Sequence, residues 1–348
     1  MAGLAPEPVR CHSVPAVPPP RLAAPGPWPH NALEGRTLRL EGDRFEVGLP
    51  EDWAHFIDPR LPEVLPAWGL GEPGRLPLFR RWKVEAGRVL SLSLDHAFAA
   101  AAWARCRAAG PLTVVHLDRH TDCGAPLLLV DCEGGLVDCL TGAPVRAEEP
   151  ESLEGAAASG AVGIGGFIAP AVALGLASRV VHVYPSRTPL PAPRERTLGV
   201  GAGEAHPRRP DLRWFAASLE GDAGAPLRSV PYLAAHPATV PAGLPGPLVL
   251  DVDLDFASNR YRGDPDWEGT PGPELAPADF AAEVGAVLDR LDPARIVGVT
   301  VALSPGFCPV EAWRPLAAAL SGVLRSRLGA SLDGLGPWDA EATPSPPV

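Results

Sequence analysis

The stretch V-H-L-D-R-H-T-D at residues 115–122 sets two carboxylates and an imidazole at two-residue spacing behind an apolar run. In extended backbone, side chains at i, i+2 and i+4 share a face, so Asp118, His120 and Asp122 can converge where the strand gives way to a loop. The stretch L-V-L-D-V-D-L-D-F at 248–256 repeats the spacing with carboxylates alone, Asp251, Asp253 and Asp255. A third run, S-L-S-L-D-H at 91–96, ends in Asp95 and His96. Asp95 has the chemistry of a helix N-cap, while His96 adds a nitrogen ligand. His96, Asp118, His120, Asp122, Asp251 and Asp253 together read as the ligand set of a metal centre.

An acidic, solvated edge strand is the simpler reading of either Asp-rich run alone. Acidic residues are depleted in strands, however, and like charges along one face repel. Each run also begins with the continuous apolar stretch of a central parallel strand covered on both faces. Carboxylates placed there are driven toward protonation unless a cation compensates them. Mixed carboxylate and imidazole ligands without thiolate suit Mn2+ or another borderline divalent ion, and the number of carboxylates suits two ions better than one. Two ions about 3.5–4 Å apart make a shared water strongly acidic, so hydrolysis is the chemistry such a site offers.

The elements that must position these residues follow a β/α alternation. Strands are expected at 88–93, 112–117, 179–184, 247–253 and 295–303, and helices near 95–109, 168–177, 278–291 and 309–327. This is the pattern of an α/β fold, three layers with a mainly parallel central sheet between helices. Every polar cluster falls at the C-terminal end of a strand, where open α/β sheets bind their ligands. The Gly/Pro-rich connections 185–245 and 257–277 are expected as loops over that edge. The Pro-rich segment 1–32 reads as a disordered arm, 33–330 as a single domain, and 331–348 as a flexible tail.

At 348 residues and 46% apolar composition the chain can bury a sizeable core. It has no run of about 18 or more apolar residues and no export signal, which implies a cytoplasmic protein without a membrane partner. A formal net charge of −11 argues against a phosphate-backbone binder, so no nucleic acid is expected as a partner. Lys83 is the only lysine among 30 basic residues, a bias that GC-rich coding explains. The six cysteines form no C-x-x-C pair and read as reduced thiols. Cys123, Cys132 and Cys139 lie close enough in sequence for a thiolate site to be considered as well.

The order D-H, D-x-H-x-D, D-x-D, each motif after a strand, resembles the arginase/deacetylase superfamily and within it the ureohydrolases. Leu94-Asp95-His96-Ala97 stands where ureohydrolases have Gly-Asp-His-Ser, Asp118-Arg119-His120-Thr121-Asp122 matches Asp-Ala-His-x-Asp, and Asp251-Val252-Asp253 matches Asp-Val-Asp. The resemblance implies an arginase-like fold with two Mn2+ ions. His96, Asp118, Asp122 and Asp251 would hold one ion, and Asp118, His120, Asp251 and Asp253 the other. Asp122 would orient the attacking water and relay its proton, with His120 beside it at the catalytic centre. The apolar stretches at 162–185 and 300–305 are similar to a divergent branch that includes the peptide arginases of ribosomal peptide biosynthesis. The implied reaction is conversion of arginine in a peptide substrate to ornithine, with release of urea.

This chain departs from the pattern in three places. Ala302-Leu303-Ser304-Pro305 stands where arginases carry Glu-Val-x-Pro, so the glutamate that helps fix the substrate is missing. No histidine occurs at 123–145, where free-arginine enzymes have one; Asp131, Glu133 and Asp138 are there instead. D-V-D-L-D is also tighter than D-x-D-x-x-D, which leaves Asp253 and Asp255 as an alternative to Asp251 and Asp253. The apolar run leading straight into Asp251 favours the earlier pair. A single-zinc deacetylase would need adjacent histidines, which the chain lacks. A two-metal phosphoesterase would turn Arg119 and Arg260 to phosphate, and a non-catalytic metal-binding protein of the same fold is the reading in which the lost glutamate marks decay.

Overall fold

The apolar runs that precede the polar clusters are the inner strands of one large sheet. The computed structural model describes residues 11–15, 37–41, 44–48, 58, 60–69, 79–206, 209–220, 223–260, 274–305 and 307–339. In chain order, β1 (Cys11–Pro15), β2 (Thr37–Glu41) and β3 (Arg44–Gly48) form a small antiparallel sheet, followed by α1 (Leu61–Ala67). Next come β4 (Arg80–Glu85), β5 (Arg88–Ser93), α2 (Ala99–Arg105), β6 (Leu112–Leu117), β7 (Leu128–Val130), β8 (Leu136–Asp138) and β9 (Pro144–Val145). The second half contains α3 (Pro150–Ser159), α4 (Ile168–Ala173), β10 (Ala177–Val183), β11 (Glu195–His206), β12 (Arg209–Ser218) and β13 (Ala225–Ala235). The chain then adds β14 (Leu248–Asp253), α5 (Pro277–Leu288), β15 (Ile296–Ala302) and α6 (Val310–Leu328).

The 12-stranded sheet runs in the order β4-β5-β15-β14-β6-β10-β13-β11-β12-β7-β8-β9. Its middle, from β5 to β13, is parallel, and the strands outside that block pair antiparallel. Helices α2, α3 and α4 pack on one face around Trp103, Leu153 and Phe167; α1, α5 and α6 pack on the other around Leu61, Phe280 and Trp313. This is the expected three-layer α/β/α architecture. β6 and β14 are buried at every position because both faces are covered, which is why they read as unbroken apolar runs.

Three expectations are corrected. The stretch 185–245 is largely strand: β11, β12 and β13 extend the sheet. Their signal is masked by glycine and alanine, which are poor strand formers, yet the packing demands them. A Cβ on Gly201 would lie 2.5 Å from the carbonyl oxygens of both Ala223 and Ala225. Within the Pro-rich segment 1–32, Cys11–Pro15 pairs with β3, its strand-forming residues lying ahead of the proline cluster. The rest of that segment lies outside the described residues. At the other end, 331–339 packs onto the domain: Leu332 and Leu335 are buried and the Trp338 ring lies 5.7 Å from Trp68. Residues 340–348 of the expected tail, and 261–273 of the expected loop, lie outside the described residues.

Leu332 and Leu335 therefore belong to the core on the α6 face, with Trp338 packed against it. Leu335→Ala is expected to destabilise the protein by about 2–5 kcal/mol, the range for emptying a buried leucine site. Urea denaturation measures this, and a segment that merely trailed from the domain would leave the midpoint unchanged.

Candidate metal centre

Parallel pairing in register lines up polar residues across the sheet. Thr300 of β15, Asp251 of β14, His116 of β6 and His182 of β10 stand side by side in one row. Two residues nearer the C-terminal ends, about 6–7 Å along the strands, Asp253 sits beside Ala302 and in step with Asp118, which directly follows β6. Both rows point to the α2 side, because Leu112 and Val114 of β6 join that core while Val115 and Leu117 join the opposite one. Strand parity alone thus gathers the carboxylates on one face.

The deep row is closed by its own hydrogen bonds. The Thr300 hydroxyl donates to Asp251 Oδ1 and accepts from Trp103 Nε1 at 3.1 Å. Asp251 Oδ2 meets His116 Nδ1 at 2.7 Å and His96 Nε2 at 3.0 Å. The other nitrogen of His116 reaches the His120 carbonyl at 3.2 Å. His182 lies 3.0 Å from the Asp118 carbonyl by Nε2 and 2.5 Å from the Tyr232 hydroxyl by Nδ1.

The row above is open. His96 Nδ1 faces Asp253 Oδ2 at 3.0 Å, Asp122 Oδ2 at 3.1 Å and Asp118 Oδ2 at 3.3 Å. His120 Nδ1 faces Asp255 Oδ2 at 2.8 Å and Asp118 Oδ1 at 3.4 Å. His96 Nδ1, Asp118 Oδ2 and both carboxylate oxygens of Asp255 are buried without a hydrogen-bond partner. Such atoms are costly unless something else satisfies them, and they point into one space. His96, Asp118 and Asp122 form one group able to hold an ion, and Asp118, His120 and Asp255 another, with ligand atoms within 4.8 Å of one another. A third group, His96, His116 and Asp251, draws on the hydrogen-bonded deep row. The nitrogen and oxygen donors fit one or two divalent ions, and no cysteine belongs to any group. No disulfide joins Cys106, Cys123, Cys132, Cys139 or Cys308.

Local structure aims the ligands. Asp95 caps the 3-10 turn His96–Phe98 by accepting from the Ala97 amide at 2.8 Å, which sets His96 over β14. Phe167 covers the His96 ring at 4.5 Å. Asp122 and Ser304 both adopt left-handed backbone, φ 46° and 50°, a conformation that costs about 1–3 kcal/mol for non-glycine residues and clusters at functional sites. From there the Ser304 hydroxyl donates to Asp253 Oδ2. After β14 the chain turns into the 3-10 segment Leu254–Phe256, so Asp255 stays on the site side, its amide bonded to Asp253 Oδ1 at 2.8 Å. His120 stands at the mouth with its side chain 40% exposed, Phe307 4.7 Å from its ring and Asn259 Nδ2 3.4 Å from its Nε2.

Of the residues expected as ligands, the structure brings His96, Asp118, His120, Asp122 and Asp253 together. Asp251 lies behind them in the deep row, and Asp255 occupies the place beside His120. The third aspartate of D-V-D-L-D was the available signal for Asp255. Thr300, Ser304, Asn259, Phe167 and Phe307 carried no signal as isolated polar or aromatic residues. Arg119, which a phosphoesterase would turn to phosphate, donates from Nε to the Asp255 carbonyl at 2.9 Å. Asp131 is engaged by the Glu133 and Gly135 amides, and buried Asp138 accepts from Leu140, Thr141 and Ser159. Asp138 thus has both oxygens engaged, while both bonds to Asp131 fall on its Oδ1.

Electrostatics in the metal-free chain reflect the crowding. Burial and then the charge of Asp118 push the Asp122 carboxyl up to about 7. Burial, Asp118 and Asp253 raise Asp255 well above the ordinary range. His96 is raised well above 6.5; burial opposes this, but the charge of Asp251 and the close approach of the Asp118 and Asp122 carboxylates outweigh it. His116 rises to about 9 by the same balance, with Asp118 as its strongest support. His182 falls to about 3 through burial and the charge of His116. Protons thus take the place of cations at the cluster.

No protein-family model matches this chain, and no curated protein does. Among solved structures, the proclavaminate amidino hydrolase from Streptomyces clavuligerus is similar at a TM-score of 0.35 and 18% identity, over 73% of this chain and 65% of that one. This chain therefore spans less than two thirds of the length of that enzyme. A likeness this loose transfers no chemistry, and the centre rests on its own geometry.

Divalent-ion binding should rise with pH and release protons. Asp122 is protonated below about 7 in the metal-free fold, and an ion must displace that proton and the one on His96. Because the folded values exceed the unfolded ones, Asp122 makes the metal-free fold less stable as pH rises from about 4 to about 7. His96 and His116 continue the loss from about 6.5 upward. Calorimetry with Mn2+ in buffers of different ionisation enthalpy is expected to show net proton release at pH 6, and thermal melts should show the greatest stabilisation by Mn2+ above pH 7.

Proposed function

We propose that the protein is a dinuclear-metal hydrolase that converts arginine side chains of a peptide to ornithine, releasing urea, and that it belongs to the arginase/deacetylase superfamily. The observation that carries this reading is the pair of ligand groups hinged on Asp118, His96–Asp118–Asp122 and Asp118–His120–Asp255, with their hydrogen-bond-free buried atoms directed inward. Asp253, 3.0 Å from His96 Nδ1 and bonded to the Asp255 amide, is the second carboxylate placed between the groups. The set His96, Asp118, His120, Asp122, Asp253 and Asp255 comes from three strand ends in the order that resembles ureohydrolases. Mn2+ is the ion proposed, on the donor types.

Two divalent ions held there would acidify a water and supply it as a hydroxide nucleophile at neutral pH. The chain's own groups do the rest. Asp122, at its left-handed turn, is placed to take the water's proton and return it to the departing side-chain nitrogen. The new bond joins water oxygen to the guanidinium carbon; the bond that breaks joins that carbon to the substituted nitrogen. Phe167 covers the buried His96 ring, and Phe307 flanks the His120 ring at 4.7 Å. His120, exposed at the mouth, is the first of these ligands a side chain entering from solvent would meet.

A peptide substrate is favoured over free arginine because the 123–145 loop presents no histidine, and buried Asp138 has both oxygens engaged by its own turn and Ser159. The phosphoesterase alternative is weakened by Arg260, which is bound to Glu274 and Glu311. Localisation is left to the cell: among the described residues no helix is long and apolar enough to cross a membrane.

Mn2+-loaded protein is expected to release urea from an arginine-containing peptide and leave a product with the mass of the ornithine form, with kcat/KM higher than for free arginine. Asp118→Ala should lower urea release below detection and prevent binding of two ions. Loaded protein that ignores arginine peptides but removes acetyl groups from lysine peptides would replace this reading with the deacetylase one. Protein that binds no divalent ion would remove both.

A further inference from the structure

Three aspartates alternate along D-V-D-L-D, yet their carboxylates meet different surroundings. Both oxygens of Asp251 are engaged: Oδ1 by the Thr300 hydroxyl, Oδ2 by His116 Nδ1 at 2.7 Å and His96 Nε2 at 3.0 Å. The oxygens of Asp255 have no hydrogen-bond partner, nor has Asp118 Oδ2. His96 shows the same division within one ring. Its Nε2 is bound to Asp251, and its Nδ1 is unpartnered and faces Asp118, Asp122 and Asp253.

We propose that Asp251 is a positioning residue that holds His96 by its Nε2–H and so presents Nδ1 to the metal centre, and that Asp251 is not itself a ligand. This rests on the dinuclear reading of the site. A neutral imidazole has one donor and one acceptor nitrogen, so a carboxylate that takes the Nε2 proton fixes the Nδ1 lone pair as the ligand. Asp251 is itself held, because Thr300 donates to it while accepting from the Trp103 indole at 3.1 Å, a link that runs from α2 through β15 to β14. The register explains why Asp251 cannot serve both purposes: it stands one full pleat repeat below Asp253, beside His116 and away from His120. An ion among His96, His116 and Asp251 would have to displace two hydrogen bonds inside a fully enclosed row. Of the three aspartates, the first therefore orients and the second and third face the ions.

Asp251→Asn, Asp255→Asn and Thr300→Val separate these roles. Ion stoichiometry by elemental analysis and affinity by Mn2+ titration are expected to show Asp251→Asn retaining two ions with about 10–100-fold weaker binding, the range for outer-shell partners of ligating histidines. Asp255→Asn should retain one ion. Thr300→Val should retain two, weakened less than in Asp251→Asn, and serves if the Asp251 variant does not fold. A second readout needs no metal: in 15N-histidine-labelled protein, the hydrogen-bonded Nε2 proton of His96 should resonate far downfield, shift upfield in Asp251→Asn and stay in place in Asp255→Asn. Loss of one ion in Asp251→Asn with two retained in Asp255→Asn overturns the proposal, as does an unmoved His96 proton in Asp251→Asn. Wild-type protein that binds no ions would defeat the hydrolase reading, while the His96 proton would still decide the role of Asp251.

Discussion

Asp118, Asp122, Asp251, Asp253 and Asp255 are shut away from water at one end of one sheet, and the rest of the site follows from what that concentration of charge requires. Buried carboxylates persist only when hydrogen bonds, neighbouring cations or bound ions compensate them. The fold uses the first two for some of these groups and leaves others uncompensated. Asp251 is surrounded by Thr300, His116 and His96, and its carboxyl is held well below the usual range despite burial, chiefly by the charge of His96. Asp255 and Asp122 face His120 and His96, but burial and the charge of Asp118 outweigh that support and push both upward. Compensation thus separates Asp251, held within the scaffold, from Asp122 and Asp255 on the binding surface.

That division is made by strand geometry. A pleat repeat of two residues separates the deep row from the open one, and parallel register keeps each row level across four strands. A one-residue slip of β14 would turn Asp251 and Asp253 into the opposite core, among leucines and valines. The covering helices also matter: Trp103 of α2 reaches the deep row, and Phe167, the residue before α4, covers the His96 ring. At the rim, Asp122 and Ser304 take left-handed backbone where the chain leaves the strands and the side chains must still point inward.

The inner strands and the polar motifs at their ends were legible in the sequence because central parallel strands announce themselves as apolar runs and carboxylates at their ends are conspicuous. β11, β12 and β13 were not, since close backbone approaches at Gly201 and Gly224 require residues that carry no strand signal. The choice among Asp251, Asp253 and Asp255 was equally hidden. Spacing shows that all three share a face, but which of them lies level with His120 depends on where β14 ends and its 3-10 turn begins. The hydroxyls of Thr300 and Ser304 acquire meaning only once β15 is known to lie beside β14.

The Asp251 and His96 pair joins residues 155 positions apart in the chain, and His116 meets Asp251 across 135. Contacts of that span form only after long loops have closed, so the centre is absent from any chain that has folded one half without the other. Ions captured by such a centre act on the finished structure: they retard its opening and do little to hasten its assembly. In a cell poor in divalent ions the protein would reach the same fold at much the same rate, and would differ in how long it kept it.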